Sequence, residues 1–336
     1  MAFTGRFIAN IAHFASKQGA NLNELIALSG RSLEELCAEN CFIEDAVYNS
    51  VIELAVERTG DDFFGLHAGE NMNLAAAGLI AQISQTSETV KQALEYCCQF
   101  ANLGCSALPM QLLEEVKTYK LTMTPQRLWR EQSPLAVRHT AEGMLAFTIR
   151  EFHALLLQQH YPLKIHLPWE RPPSTLELER VLACPIKYEQ NDIAVFFEKA
   201  HIESKIVTSD FNLLRILVAH AEEKSAQLAQ ELGFTAQVKQ SVIALVKPAF
   251  PTIEQVAGHL NLSPRTLQRR LQDEGATYKQ LLNDLRMEFA VGYLKRPELS
   301  IGEIAYLLSY ADTSSFTRSF KRWIGKSPKD YRQSLL

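Results

Sequence analysis

The chain has 336 residues, 47% hydrophobic and 21% charged, which excludes a disordered protein and, at roughly 150 residues per domain, predicts two domains. Its net charge of −4, taken as one figure, speaks against a nucleic-acid partner. By segment it does not: residues 236–336 hold 15 Lys and Arg against nine Asp and Glu, a net of +6, whereas residues 1–235 hold 19 against 29, a net of −10, the pattern of a nucleic-acid arm on an acidic body.

In chain order, the first third reads as helix. Phe7, Ile8, Ile11 and Phe14 have helical spacing, as do Leu22, Leu25, Ile26 and Leu28. Ser32 and Glu35 form a capping box ahead of Leu33 and Leu36. Val47–Arg58 predicts an amphipathic helix ended by Gly60, and Thr89–Leu103 continues the pattern. The longest apolar stretch, around Leu74–Ile83, falls far short of the roughly 20 residues a bilayer needs. Asn10 and His13 interrupt the early apolar run, so no secretory signal is expected.

Near Gln111–Thr124 the period changes, and Leu112, Val116, Tyr119, Leu121 and Met123 predict short strands around a polar turn. A long helix follows over Pro134–Gln159, then a strand at Leu163–Leu167, a helix at Ser174–Leu182 and strands at Ile186–Tyr188 and Ile193–Phe197. Asp210–Leu232 is strongly helical and closed by Gly233, and no strand signal appears after it. The predicted fold is a mixed α/β domain over residues 1–208, a connector helix over 209–235 and an all-α domain over 236–336.

Two matched segments dominate that last domain. Thr252-Ile-Glu-Gln255 is a capping box, and its helix runs through Val256 and Ala257 to Leu260. After Asn261-Leu262, Ser263-Pro264 pairs an N-cap with proline at the first helical position. The next helix carries Leu267 and Leu271 on one face and Arg265, Gln268 and Arg269 on another. Residues 252–272 thus read as a helix-turn-helix unit joined to a linker helix over Tyr278–Leu294.

The layout recurs 48 residues later, over 300–323. Ser300 and Glu303 form a capping box, and Ile301, Ile304, Ala305 and Leu308 fall in register with Ile253, Val256, Ala257 and Leu260. Asp312 caps the following helix after one extra turn residue. Phe316 and Phe320 supply its buried face and leave Thr313, Ser314, Thr317, Arg318 and Lys321 outside. Arg can present a fork to guanine, Gln can pair with adenine, and Thr can offer a methyl to thymine. Lys321, Arg322, Lys326 and Lys329 are placed to meet phosphates. The linker of about 17 residues spans roughly 25 Å. With the width of the units added, this approaches the ~34 Å rise of one DNA turn.

These residues resemble the AraC/XylS family of bacterial transcriptional regulators. The matching motifs are Ile253-x-x-Val-Ala257, Leu262-Ser263-x-x-x-Leu267-x-Arg269-x-Leu271 and Arg286-x-x-x-Ala290-x-x-x-Leu294, then Ile301-x-x-Ile-Ala305, Ser315-Phe316-x-Arg318-x-Phe320-Lys321 and Gly325-x-Ser-Pro328-x-x-Tyr331-Arg332. The resemblance implies base contacts from Arg265, Gln268 and Arg269 in the first unit and from Thr313, Ser314, Thr317 and Arg318 in the second. Ser309-Tyr310 stands where the family usually has Gly-Phe, in a turn that glycine enters more easily, so the second unit is expected to pack or dock slightly differently.

Residues 20–208 resemble the family's subgroup with an arabinose-binding-type N-terminal domain, like that of the ornithine-utilisation regulator. The matching residues include Asp61-Asp-Phe-Phe-Gly65-Leu66, Ala77-Gly78-Leu79, Ser87-Glu-Thr-Val-x-x-Ala93-Leu94 and Cys184-Pro185-Ile186. The resemblance implies sensing of a small molecule or oligomerisation, and names neither the effector nor its pocket. Promoter DNA, RNA polymerase and a second copy of the chain are the implied partners, and activation of transcription the implied outcome.

No P-loop, G-x-G-x-x-G, H-E-x-x-H or G-x-S-x-G motif is present, so no catalytic residue, cofactor or metal site is expected. Cys37, Cys41, Cys97, Cys98, Cys105 and Cys184 contain no C-x-x-C pair and suit free thiols in a reducing cytoplasm, with Cys97-Cys98 inert and buried. His153 and His160, seven apart on the expected long helix, read as packing or surface histidines. Trp129-Arg130 and Trp169-Glu170-Arg171 either line a pocket or cover the core from loop ends. Two rival readings stay open: an N-terminal half that only dimerises, and a DNA-repair alkyltransferase, which lacks here the zinc-ligand cysteines that would activate a thiolate.

Overall fold

The computed structural model describes residues 2–38, 40–156, 160–231, 233–246, 250–294 and 299–333. The chain forms two compact units, Met1–Ser225 and Ala226–Leu336. The first opens with β1 (Ala2–Thr4), α1 (Gly5–Lys17), α2 (Leu22–Ala27), α3 (Leu33–Cys37) and β2 (Phe42–Glu44). Four helices follow, α4 (Asp45–Thr59), α5 (Phe64–Glu70), α6 (Leu74–Thr86) and α7 (Val90–Gln99). Then come β3 (Met110–Glu114), β4 (Thr118–Met123), α8 (Arg127–Gln132), α9 (Pro134–Leu155), β5 (Lys164–His166) and α10 (Leu176–Leu182). The unit closes with β6 (Ile186–Lys187), β7 (Ile193–Glu198), α11 (Lys199–Ile202) and most of α12 (Phe211–Glu231). The second unit is helical among the described residues: α13 (Phe234–Leu245), α14 (Ile253–His259), α15 (Pro264–Asp273), α16 (Tyr278–Leu294), α17 (Ile301–Leu307), α18 (Thr313–Ile324) and α19 (Pro328–Gln333).

The first unit is therefore mixed α/β and the second all-α, as the sequence predicts. Five strands form a sheet in the order β3-β4-β7-β5-β6, antiparallel except for β5 with β6. Pairing of Leu112 with Leu121, and of Leu121 with Val195, puts one apolar row on a single face. That row joins Ile165, Phe197 and the buried side of α9 in one core. On β7 the opposite face is buried too, because the Lys120 and Lys164 ammonium groups lie 5.2 and 4.2 Å from the Phe196 ring centre and their stems cover it. Trp129 is fully buried and donates to Asn49 Oδ1 at 2.8 Å. It completes the core, the covering role.

The long helix stops at Leu155, earlier than expected, and Leu156 is extended. The expected stretch 157–159 lies outside the described residues. His160 consequently sits off the helix, its ring 3.8 Å from that of His201, so His153 and His160 do not share one helix face. All six cysteines are free, and burial raises the Cys98 thiol to about 12.

Helices α5 and α9 cross at backbone distance. A Cβ on Gly65 would lie 2.0 Å from the His139 carbonyl oxygen, and one on Gly69 2.0 Å from that of Gly143. The Gly65 N–H donates to His139 Nδ1 at 3.1 Å, and burial, helped by the Arg138 charge, lowers His139 to about 4. His139 is thus neutral in the fold.

Two outcomes follow from this crossing. Gly65→Ala should destabilise the unit by at least about 2 kcal/mol in urea unfolding, through overpacking against backbone. Gly60→Ala, at a left-handed helix end with open space around it, should lose only about 1 kcal/mol. Because His139 is depressed from 6.5 to about 4, its stabilisation is complete above pH 6.5 and is lost as pH falls towards 4. The slope is at most ~1.4 kcal/mol per pH unit. His139→Asn, which keeps an acceptor and cannot titrate, should remove about one proton from that slope; an unchanged slope would contradict the assignment.

Candidate nucleic-acid interface

The second unit holds two helix pairs. In the first, the Thr252 N–H donates to Gln255 Oε1 at 2.8 Å and the Gln255 N–H returns to Thr252 Oγ1 at 3.4 Å, so α14 starts on the expected reciprocal cap. It ends when the Leu262 N–H reaches back to the Ala257 carbonyl at 2.8 Å across Asn261, whose φ is +53°. Ser263 then caps α15 through the Thr266 N–H at 3.1 Å. Val256 and Ala257 of α14 and Leu267 and Leu271 of α15 are fully buried in one core. Four-residue spacing of the two leucines turns Arg265, Gln268 and Arg269 outward, and all three are exposed. The neighbouring Arg270 is otherwise engaged, its guanidinium 4.7 Å from the Phe234 ring centre.

The second pair repeats this pattern. Ser300 and Glu303 cap each other at 2.7 and 3.1 Å. The Tyr310 N–H reaches the Ala305 carbonyl at 2.9 Å across Ser309, whose φ is +58°. The extra residue, Ala311, is absorbed after this turn, and Asp312 caps α18 by accepting the Ser315 N–H at 2.7 Å. That bond, then the Ser315 hydroxyl, holds Asp312 below the usual carboxylate range. Phe316 and Phe320 are fully buried. Thr313, Ser314, Arg318, Lys321 and Arg322 are exposed, whereas Thr317 is half-buried at the edge of the face. Arg318 Nη2 lies 3.4 Å from Ser315 Oγ on its own first turn.

The Ser309 departure is compensated locally. A non-glycine residue in the left-handed region costs roughly 1–2 kcal/mol. Here the Ser309 hydroxyl accepts the Phe250 N–H at 2.9 Å, and the Arg286 guanidinium, set against the Phe250 and Tyr310 rings, lies 3.4 Å from the Ser309 carbonyl. The turn keeps the hydrogen bonds and φ of its counterpart, so the altered packing expected from serine is not found in the turn itself. Periodicity also left α13 unmarked. Its start is capped from a distance by Glu274, which accepts the Thr235 N–H at 2.7 Å. The acidic residue there was visible, but its partner lies 39 positions away.

Residues 19–206 match the arabinose-binding N-terminal domain of AraC transcription regulators, and residues 256–334 match a helix-turn-helix domain. The chain belongs to the AraC family of transcription regulators. The ornithine utilization regulator of Pseudomonas aeruginosa is 25% identical over 290 residues, covering 85% of this chain and 83% of that protein. The regulator VqsM of the same species is 24% identical over 306 residues, covering 90% of this chain and 93% of its own length. The crystal structure of the P. aeruginosa regulator CdpR aligns with 95% of this AraC-family chain and 98% of its own at 24% identity, with a TM-score of 0.46. The two helix pairs are thus the DNA-binding elements of a transcription regulator.

Ser309→Ala should destabilise this unit by about 1–2 kcal/mol, since it keeps the strained φ and leaves the Phe250 N–H without its acceptor. Ser309→Gly loses the same bond but relieves the strain, and should stay within about 1 kcal/mol of the parent. Urea unfolding of the pair checks the order; a more stable alanine variant would contradict it.

Proposed function

We propose that this AraC-family regulator reads a two-part promoter site with one chain. Arg265, Gln268 and Arg269 address bases in one major groove, and Thr313, Ser314, Thr317 and Arg318 in the next. Lys321, Arg322, Lys326 and Lys329 meet phosphates. The observation that carries this is the matched pair of helices α15 and α18, each with one face fully buried and a polar, cationic face exposed. The acidic N-terminal unit binds a small-molecule effector, in keeping with its arabinose-binding-type match. The effector shifts the population of DNA-competent states through its different affinity for them. The regulator acts in the cytoplasm, and activation through RNA polymerase is the proposed outcome. No helix among the described residues is long and apolar enough to cross a membrane.

Arg269→Ala should weaken specific binding by about 1–3 kcal/mol and relax preference at one base position. Lys321→Ala should weaken all sequences alike and reduce the slope of log affinity against log salt by about 0.9. Gel-shift titrations over several salt concentrations separate the two. Equal losses on specific and random DNA for Arg269→Ala would assign it to the backbone and sink its base-reading role.

A further inference from the structure

In the first unit, the segment after β5 and around α10 encloses an open cavity of about 420 Å³, lined by Arg171, Glu179, Cys184, Pro185, Ile186 and Tyr188. This is the size range of small-ligand clefts. Its wall carries charges of both signs. Arg171 makes no hydrogen bond or ion pair among the described residues, and Glu179 holds only the Thr175 hydroxyl through Oε1, at 2.7 Å.

Among the described residues, the Tyr188 hydroxyl, the Trp169 indole N–H and Glu142 Oε2 are buried without a hydrogen-bond partner, and of these three residues Tyr188 is the one that lines the cavity. Trp169 is tied to the Tyr188 segment, its carbonyl accepting the Glu189 N–H at 3.0 Å. Glu142, on α9, is fully buried, and its other oxygen accepts from Arg138 at 2.9 Å. The charges of Arg171, Glu179, Glu142 and Arg138 all act on the Tyr188 hydroxyl.

We infer that this cavity is the effector site, and that it takes a small zwitterion bearing both an ammonium and a carboxylate. The inference rests on the proposed effector control. Arg171 offers the planar fork that suits a carboxylate. Glu179 accepts from an ammonium group, and Pro185, Ile186 and the Tyr188 ring supply apolar wall between the two charged ends. A hydrocarbon chain or an uncharged sugar would leave Arg171 and Glu179 unused.

The test is thermal unfolding and calorimetric titration of the full chain. One panel holds the L-amino acids, each beside the amine lacking its carboxylate and the acid lacking its amine. A second holds sugars, fatty acids and aromatic acids. At least one amino acid should raise the unfolding temperature, its two truncated analogues should bind at least tenfold more weakly, and Arg171→Ala and Glu179→Gln should each weaken it at least tenfold. Arg171 and Glu179 are exposed, so both variants should fold, and a ligand-free unfolding temperature matching the parent's confirms it. A ligand from the second panel whose affinity is unchanged in both variants would overturn this site while leaving effector control intact. No shift from either panel, with DNA binding preserved, would overturn both.

Discussion

A single residue in the left-handed backbone conformation aims each of the two DNA-facing helices. Asn261 and Ser309 occupy equivalent places, with φ of +53° and +58°, and in both turns the next N–H closes back on an alanine carbonyl. The alanine admits the second helix close to the first. Once that geometry is set, the helical period decides the rest: Leu267 with Leu271, and Phe316 with Phe320, go inward, and the residues between them go out. Asparagine enters this region readily because its short polar side chain tolerates it. Serine does so less well, and here it is held by contacts from Phe250 and Arg286. Arg286 lies on the linker helix α16, so the same side chain that braces the second turn also fastens it to the element connecting the two helix pairs.

The first unit is organised by a different constraint. Its central helix α9 meets α5 at a separation only glycine permits, and the same crossing buries a neutral histidine against a backbone amide. Such a contact resists sideways adjustment, because backbone cannot yield as a side chain can. α9 also carries Arg138 and Glu142, whose charges reach Tyr188 at the cavity.

Local signals were legible in the sequence and distant ones were not. The boxes at Ser32, Thr252 and Ser300 all form as read, because a cap needs only residues three apart. The outward face of α15, with Arg265, Gln268 and Arg269 exposed, was legible for the same reason, whereas the contact of the neighbouring Arg270 with the Phe234 ring was not. The strand pair β1–β2 was missed, since three residues on each side carry no period. The helix α5 was missed because Gly65 and Gly69 look like helix breakers until the partner helix is known. Trp169–Arg171 reads in sequence more as core cover than as pocket; Trp169 does pack on the core, while Arg171 lines the cavity beside Tyr188, which the fold brings there from 17 positions away. The net charge of −4 was the least informative figure of all, being the sum of a +6 module that can approach phosphates and a −10 body that they repel.

The most direct test of one chain reading two grooves is selection of bound sites from a fully randomised DNA library, using the full-length protein at near-physiological salt. The account predicts a two-part motif whose halves are centred about one helical turn, ~10 base pairs, apart. Arg269→Ala should erase preference in one half and Arg318→Ala in the other. A single contiguous half-site, or both substitutions acting on the same half, would contradict it.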